Sequence, residues 1–142
     1  MEFSDVIKNR YSCKKFSSEQ IGKDKLDAIL EAGRVAPTAK NLQEQHIYVV
    51  QSESALETID KLTPCRYNAP TVLIVAYNKN NVFTYLGDKR NSGIEDATIV
   101  ATHLMLAAYN EGVDSCWINF FNPDELAKAF NLPEDEEILM LL

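Results

Sequence analysis

Apolar residues recur along the chain at helical spacing in several stretches, and each stretch predicts an amphipathic helix. The clearest are Lys23 to Val35, which Pro37 ends, and Glu53 to Leu62. Ser4 is expected to cap a short helix that ends at Asn9. A later helix is expected after Asn122, because the proline and two acidic residues that follow it suit a first helical turn.

The longest apolar pattern predicts a helix from Gly93 to Asn110. One face of this helix has apolar residues at helical spacing along its whole length. Other apolar residues, such as Ile99 and Leu106, make the remaining faces apolar as well. We therefore expect this helix to be central and deeply buried.

Shorter apolar runs, rich in β-branched and aromatic residues, predict strands. They run from His46 to Gln51, Thr71 to Tyr77, Val113 to Asn119 and Glu137 to Leu142. Helices and strands alternate after the opening pair of helices, which by pattern alone favours a parallel, doubly wound sheet. The Gly-rich phosphate loop of such folds is absent, so the pattern predicts layers of helix and strand without fixing the strand order.

Length and charge limit the classes of function. The chain has 142 residues, which suits one domain spanning residues 1–142, and its formal net charge is −7. An acidic chain is a poor partner for nucleic acid, which binds clustered Lys and Arg. No apolar run reaches the length of a membrane helix, and the first residues lack the features of a secretory signal. We expect a cytoplasmic protein that contacts neither nucleic acid nor membrane.

The cysteines and histidines do not form a metal or nucleophile motif. Cys13, Cys65 and Cys116 are odd in number and contain no Cys-x-x-Cys pair, so we interpret them as reduced thiols and expect no metal site. Only His46 and His103 could serve a catalytic cysteine as base, and His103 lies in an apolar stretch typical of a core.

Three further segments have side chains suited to a ligand. Arg10 to Phe16 contains three cations and a hydroxyl, which suit a phosphorylated cofactor, although a solvated basic turn paired with Asp5 or Glu19 is the simpler interpretation. Ala36 to Gln43 is a helix end followed by small and amide side chains, and it can contact a flat ligand or simply connect two elements.

The third segment joins the long helix to the loop from Asp114 to Pro123. Trp117 and the backbone N–H groups after it can flank an aromatic ring system, or the tryptophan can be part of the core. Glu95 and Asp96 do not suggest an acid/base pair, because adjacent helical side chains point in different directions. We interpret Glu95 as a partner of the helix dipole.

These three segments, in this order, resemble the nitroreductase-like family of flavin oxidoreductases. The resemblance covers nearly the whole chain: an Arg-x-Ser-x-Lys-x-Phe start at Arg10 to Phe16, a Pro-Thr-x-x-Asn-x-Gln loop at Pro37 to Gln43, and the block from Gly93 to Pro123. It implies an α+β fold with a mixed, mostly antiparallel central sheet flanked by helices, in place of the parallel sheet. It also implies a homodimer with FMN at the subunit interface.

The resemblance assigns FMN contacts to residues of both subunits. One subunit would contribute Arg10, Tyr11, Ser12 and Lys14, and the other Pro37, Thr38, Ala39 and Asn41. Arg10 would hold the phosphate, Lys14 would act electrostatically at the pyrimidine edge, and the backbone at Asn119 and Phe120 would donate towards flavin N5. No side chain is expected to be catalytic in its own right, because the flavin supplies the redox chemistry.

The activity that the resemblance implies is hydride transfer from NADH or NADPH, through flavin N5, to a small acceptor such as a nitroaromatic or a quinone, with ping-pong kinetics. Two alternatives remain: an FMN-binding or storage module without significant turnover, and a structural domain that binds no flavin.

The chain departs from the family pattern at three places. Asn119 stands where glycine is frequent, and Glu44 and Gln45 stand where proline and an aromatic residue are usual. The sequence also ends at Leu142, before the basic tail of the family, so this tail either is missing from the protein or lies outside the given sequence. These departures bear on substrate preference, FMN affinity and dimer strength.

Overall fold

The computed structural model describes residues 1–142 and contains five α-helices and three β-strands. In chain order they are α1 (Phe3–Asn9), α2 (Lys23–Arg34), β1 (Gln45–Val50), α3 (Glu53–Leu62), β2 (Val72–Asn78), α4 (Gly93–Asn110), α5 (Pro123–Ala129) and β3 (Glu136–Leu141). A single 3₁₀ turn, Ala39–Asn41, lies between α2 and β1.

The three strands form one antiparallel sheet in the order β1-β2-β3. The central strand β2 is buried from Val72 to Tyr77, as its continuous apolar run requires when both faces are covered. The α+β fold with an antiparallel sheet is confirmed, and the parallel sheet favoured by element order is wrong. Alternation of helix and strand does not specify direction, and here each strand pairs antiparallel with its neighbour.

Helices cover both faces of the sheet. On one face α2 and α4 enclose a core of buried residues: Ile29, Ala36, Leu73, Val75, Tyr77, Ala97, Val100, Ala101, Leu104, Ala108 and Met140. On the other face α3 and α5 enclose a second core: Val50, Ile59, Val72, Ile74, Ala76, Ile118, Leu126, Ile138 and Leu141. The alternation of side chains along each strand thus supplies two cores, one per face.

Two glycines permit close approach around α4. A Cβ on Gly33 would lie 2.7 Å from Leu104 Cδ2, so glycine lets α2 pack tightly on α4. A Cβ on Gly93 would lie 2.4 Å from the ring of Tyr77, so glycine lets the start of α4 rest on β2. The position of α4, which carries part of the candidate site, depends on both contacts.

Several predicted helix ends are confirmed. Asn122 caps α5, since its Oδ1 accepts from the N–H groups of Asp124 at 3.0 Å and Glu125 at 3.2 Å. Ser4 is not a cap: α1 begins at Phe3, the N-cap position belongs to Glu2, and no side chain caps it.

The strand predicted from Val113 to Asn119 is not formed. That segment makes two isolated bridges, a parallel one between Ser115 and Ser12 and an antiparallel one between Ile118 and Leu141. Its two ends pair with different neighbours, so no continuous ladder can develop along it.

Helix α4 is buried along its main stripe, but the expectation that its other faces are deeply buried is wrong for the single chain. Ile94 is 64% exposed and Ile99 is 37% exposed. No helix in the structure combines the length and the apolar character needed to cross a membrane. No cluster of three or more His, Cys, Asp or Glu side chains is placed to hold a metal ion.

Candidate functional site

The segment after α1 runs beside the loop that precedes α5, so the first and third sequence segments meet. The Cys13 N–H donates to the carbonyl of Ser115 at 2.9 Å. The Tyr11 hydroxyl donates to Asp114 Oδ2 at 2.9 Å, and this carboxylate raises the pKa of Tyr11 to about 12. Tyr11 is therefore a protonated donor at neutral pH and ties the two segments together.

Burial changes from residue to residue along this segment. Cys13 is buried, whereas its neighbours Ser12 and Lys14 are exposed. Burial raises the pKa of the Cys116 thiol, and the ammonium of Lys14 opposes that shift. Lys14 therefore acts on the loop around Cys116 while its own side chain remains open to a ligand.

The cations of this segment have no acidic partner. The ion pairs of the chain are Lys23–Asp27, Arg34–Glu31, His46–Glu136 and Arg66–Asp60, so the pairing of the basic turn with Asp5 or Glu19 is not formed. Arg10 ends α1 as its C-cap residue and is half-buried. In an otherwise acidic chain, unpaired Arg10 and Lys14 favour an anionic ligand.

Two backbone donors are free in the loop that is bridged to this segment at Ser115. The N–H groups of Asn119 and Phe120 donate to no atom of the chain, whereas those of Ile118 and Phe121 on either side are bonded. Trp117 is half-buried, and its Nε1–H donates to Asn119 Oδ1 at 2.8 Å, so the indole is engaged internally. Phe120 is 73% exposed and presents an aromatic face beside the free donors.

The second sequence segment forms a tight loop between α2 and β1. Thr38 closes it, because its Oγ1 accepts from the Gln43 N–H at 3.0 Å. Lys40, Asn41 and Gln43 have φ values of 55°, 53° and 52°, which place three non-glycine residues in the left-handed region. Such residues cost free energy and persist only where surrounding contacts hold them, which is a frequent property of ligand-binding loops.

One contact attaches this loop to α4. Asp96 Oδ1 accepts from the Ala39 N–H at 2.9 Å, and Asp96 is only 3% exposed. This role was not predicted from the sequence, although a signal exists: Asp96 lies four residues before Val100, on the buried stripe of the helix. An acidic residue on such a stripe needs a buried donor, and Ala39 supplies it.

The predicted FMN contacts form two separate groups in the single chain. Arg10, Tyr11, Ser12 and Lys14 lie on the segment bridged at Ser115 to the loop that contains Asn119 and Phe120, whereas the loop with Pro37, Thr38, Ala39 and Asn41 is attached through Ala39 to the first turn of α4. No hydrogen bond joins the first group to the second. The single chain therefore does not join all the predicted contacts into one hydrogen-bonded cluster.

Comparison with known proteins identifies the family. The model of the Nitroreductase family matches residues 7–65 and 64–142. A candidate NAD(P)H nitroreductase of Bacillus subtilis, YodC, is 28% identical, with 97% of this chain and 86% of that protein covered. This alignment spans 176 positions against the 142 residues of the chain, so YodC carries residues within the matched region that this chain lacks.

Two solved structures extend the comparison to the fold. A nitroreductase family protein from Clostridium difficile 630 is 33% identical, with a TM-score of 0.95 over 99% of this chain and 81% of that one. An FMN-dependent nitroreductase from Clostridium difficile R20291 is 25% identical, with a TM-score of 0.84 over 97% of this chain and 83% of that one. Since the family model matches nearly every residue and the fold agrees, the chain belongs to the nitroreductase family.

Proposed function

We propose that the chain is an FMN-dependent oxidoreductase that transfers hydride from NAD(P)H to a small acceptor such as a quinone or a nitroaromatic compound. One observation carries the proposal: the segment with the unpaired cations Arg10 and Lys14 is bridged at Ser12 to Ser115, in the loop that leads to the unused N–H groups of Asn119 and Phe120. The proposal treats residues 1–142 as one FMN-binding unit acting in the cytoplasm, where NAD(P)H is available.

The chemistry of these groups fits FMN. The guanidinium of Arg10 can bind phosphate oxygens with two parallel hydrogen bonds, and the exposed Ser12 hydroxyl adds a donor. The N–H groups of Asn119 and Phe120 can donate to ring nitrogen, and Lys14 can place positive charge near the ring. A phosphate and a polar aromatic ring are the two parts of FMN.

A second copy of the chain would complete the site. The loop that contains Thr38 and Asn41 makes no hydrogen bond to the cationic group of its own chain, so we assign it to the flavin of the partner in a homodimer. Exposed apolar side chains on α1 and α4 supply a surface for such pairing: Phe3, Ile7, Ile94 and Ile99. An apolar surface of this kind is typical of an interface between subunits.

Bound FMN would supply the redox chemistry, since it accepts hydride at N5 and passes it on to a second substrate. The protein then needs no nucleophile, metal or acid/base pair of its own, and its part is to bind and orient. Arg10 and Ser12 would anchor the cofactor, and Lys14 would favour negative charge on the ring. The FMN dependence of the Clostridium difficile R20291 relative supports this assignment.

An absorption spectrum of the purified protein tests the proposal. The folded protein should bind FMN in preference to FAD, and the flavin absorbance should bleach when NADH or NADPH is added without oxygen. Folded protein that binds no flavin at high micromolar FMN would refute the proposal. Bound FMN that neither nucleotide reduces would instead identify a storage or binding module.

A further inference from the structure

Two carboxyl groups are buried together next to the loop that contains Thr38 and Asn41. Glu44, immediately before β1, is 2% exposed, and Asp96, in the first turn of α4, is 3% exposed. Three of their four carboxyl oxygens receive no hydrogen bond: Glu44 Oε1, Glu44 Oε2 and Asp96 Oδ2. The fourth, Asp96 Oδ1, accepts from the Ala39 N–H at 2.9 Å.

Such an arrangement is unfavourable if both groups are ionised. Burying a charge without a partner costs several kcal/mol, and two buried like charges also repel. None of the four ion pairs of the chain includes Glu44 or Asp96. Since both groups have only acceptor oxygens when ionised, a proton is the simplest group that can satisfy them.

The charged side chains nearby are already engaged or exposed. Lys40, on the 3₁₀ turn, is exposed. The other groups near the pair have partners of their own: Glu95 of α4 accepts from Tyr85, Tyr77 of β2 donates to Glu137, Asn78 donates to Asp135, and Arg34 of α2 pairs with Glu31. No buried cation is therefore available to neutralise either carboxylate.

The pKa of Glu44 agrees with this geometry. Burial, and after it the adjacent Asp96 carboxyl group, together raise the pKa of Glu44 from 4.5 to about 7. Glu44 is the member of the pair that holds the proton, since Asp96 already has a backbone donor.

We propose that Glu44 and Asp96 share one proton, with the protonated Glu44 donating to Asp96 Oδ2, and that this acid pair positions the loop from Thr38 to Gln43 for FMN. The part that concerns FMN rests on the proposed function. Glu44 directly follows the loop, and its carbonyl accepts from the Asn78 N–H at 2.9 Å. Glu44 is thus fixed to β2 on one side and, through the shared proton, to α4 on the other.

Loss of the proton should loosen the loop. Ionised Glu44 would repel Asp96, and the bond from Asp96 to Ala39 that holds three left-handed residues would be strained. The folded protein retains the Glu44 proton at pH values where the unfolded chain has lost it. The stability that this proton contributes is therefore fully present below about pH 4.5 and is lost as the pH rises through about 7.

Unfolding of the flavin-free protein tests the pair without any reference to FMN. Urea unfolding midpoints are measured from about pH 5 to about pH 8 for wild type, Glu44→Gln and a control, Glu57→Gln, whose glutamate is exposed on α3. A glutamine remains neutral and can donate to Asp96 at every pH. The wild type and the control should lose stability across this range relative to Glu44→Gln, and an infrared band of a protonated carboxyl should vanish in Glu44→Gln alone.

FMN titrations of the same three proteins test the positioning role. The FMN dissociation constant of wild type should rise about tenfold from pH 6 to pH 8.5, while that of Glu44→Gln stays constant. A tenfold rise corresponds to a difference of about one unit between the pKa of Glu44 in the FMN-free and FMN-bound proteins. Parallel pH profiles for wild type and Glu44→Gln in the unfolding experiment would overturn the acid pair. Stabilisation by added Mg²⁺ or K⁺ that disappears in Glu44→Gln would overturn it also, since the pair would then hold a cation. If no protein binds FMN at any pH, the proposed function fails, and the unfolding and infrared results still decide the pair.

Discussion

Arg10 and Lys14 lie four residues apart, yet their surroundings differ. Arg10 ends α1 and is half-buried, so its guanidinium is attached to a rigid element. Lys14 is exposed and acts on the loop at Cys116, which leads to the free donors of Asn119 and Phe120. We therefore expect the first residue to govern how tightly FMN is held and the second to govern how readily it is reduced.

Replacement of Arg10 by alanine should weaken FMN binding. Loss of one charge-assisted hydrogen bond to phosphate corresponds to about 1.5 to 3 kcal/mol, or roughly ten- to a hundredfold in the dissociation constant. Fluorescence titration with FMN measures the change, and Lys15→Ala serves as a control because Lys15 is an exposed cation in the same segment. Unchanged FMN affinity in Arg10→Ala would show that this arginine does not hold the phosphate.

Replacement of Lys14 by methionine should lower the reduction potential of the bound flavin. Methionine has a similar length but no charge, so negative charge on the reduced ring loses a stabilising interaction. Much of the FMN should remain bound, which separates this variant from Arg10→Ala. A spectroelectrochemical titration gives the midpoint potential, and a midpoint equal to that of wild type would contradict the role assigned to Lys14.

Among the elements, α4 determines the geometry of the site, because Asp96 holds the Ala39 loop and Gly93 rests on Tyr77. Any shift of its first turn would move the loop. The tight contact at Gly93 leaves no space for a side chain, whereas Gly22, at the start of α2, has no heavy atom within 4 Å of a Cβ placed on it. These two glycines make a matched pair of test positions.

Alanine at Gly93 should destabilise the fold by about 1 to 3 kcal/mol, because the added methyl group overlaps the ring of Tyr77 and one of the two must shift. Alanine at Gly22 should change stability by less than about 1 kcal/mol. Urea unfolding of the two flavin-free variants compares them directly. Equal stability of the two variants would mean that α4 tolerates displacement from β2.

The sequence predicts elements well where local signals agree. Helix α3 has the predicted bounds because Ser52 caps it: its side chain accepts from the Ala55 N–H, and an apolar stripe follows. The prediction failed at Val113 to Asn119, where residues with the composition of a strand lack a single partner strand. The local pattern of apolar residues also could not predict strand direction, since direction depends on pairings between residues distant in the chain. The antiparallel arrangement was predicted only from the family resemblance.

In the candidate site, too, some residues could be predicted from the sequence and others could not. Arg10 and Lys14 belong to a cluster of three cations that is visible in an acidic sequence, but spacing alone favoured a paired basic turn, and the family resemblance assigned the two residues to FMN. The contact of Asp96 with Ala39 joins residues 57 positions apart, and the burial of Glu44 depends on the packing of three elements. The position of Asp96 on an apolar helix stripe signals a buried partner without identifying it, and Glu44 has no local signature, so only the structure reveals these contacts.

At the scale of the molecule, the single chain exposes an apolar surface that a soluble monomer rarely has. Phe3 is 68% exposed, Ile7 48% and Ile94 64%, on helices α1 and α4, which pack against each other. Association of two such surfaces would bury them and bring the Thr38 loop of one subunit towards the cations of the other. The proposed dimer thus serves both stability and cofactor binding.

The protein should be a symmetric dimer in solution, and Ile94→Lys should shift it towards monomer because a charge would be buried in the interface. Light scattering gives the mass of each species, and FMN titration should show weaker binding by the monomer. Leu86→Lys is a suitable control, since Leu86 is fully exposed on the loop after β2. A monomeric wild type that retains FMN would contradict the shared site.

The two isolated bridges of the segment from Ser115 to Ile118 have a consequence for the size of ligand the protein can accept. One bridge attaches Ser115 to Ser12, in the segment proposed to hold the phosphate, and the other attaches Ile118 to the sheet at Leu141, immediately before the free donors at Asn119 and Phe120. The four residues from Ser115 to Ile118, attached at both ends, would therefore fix the spacing between the groups proposed to bind the phosphate and those proposed to bind the ring. The length of this segment would therefore limit the length of the cofactor. An insertion or deletion of a single residue would change the length of cofactor that fits, even if every side chain that touches the cofactor were kept.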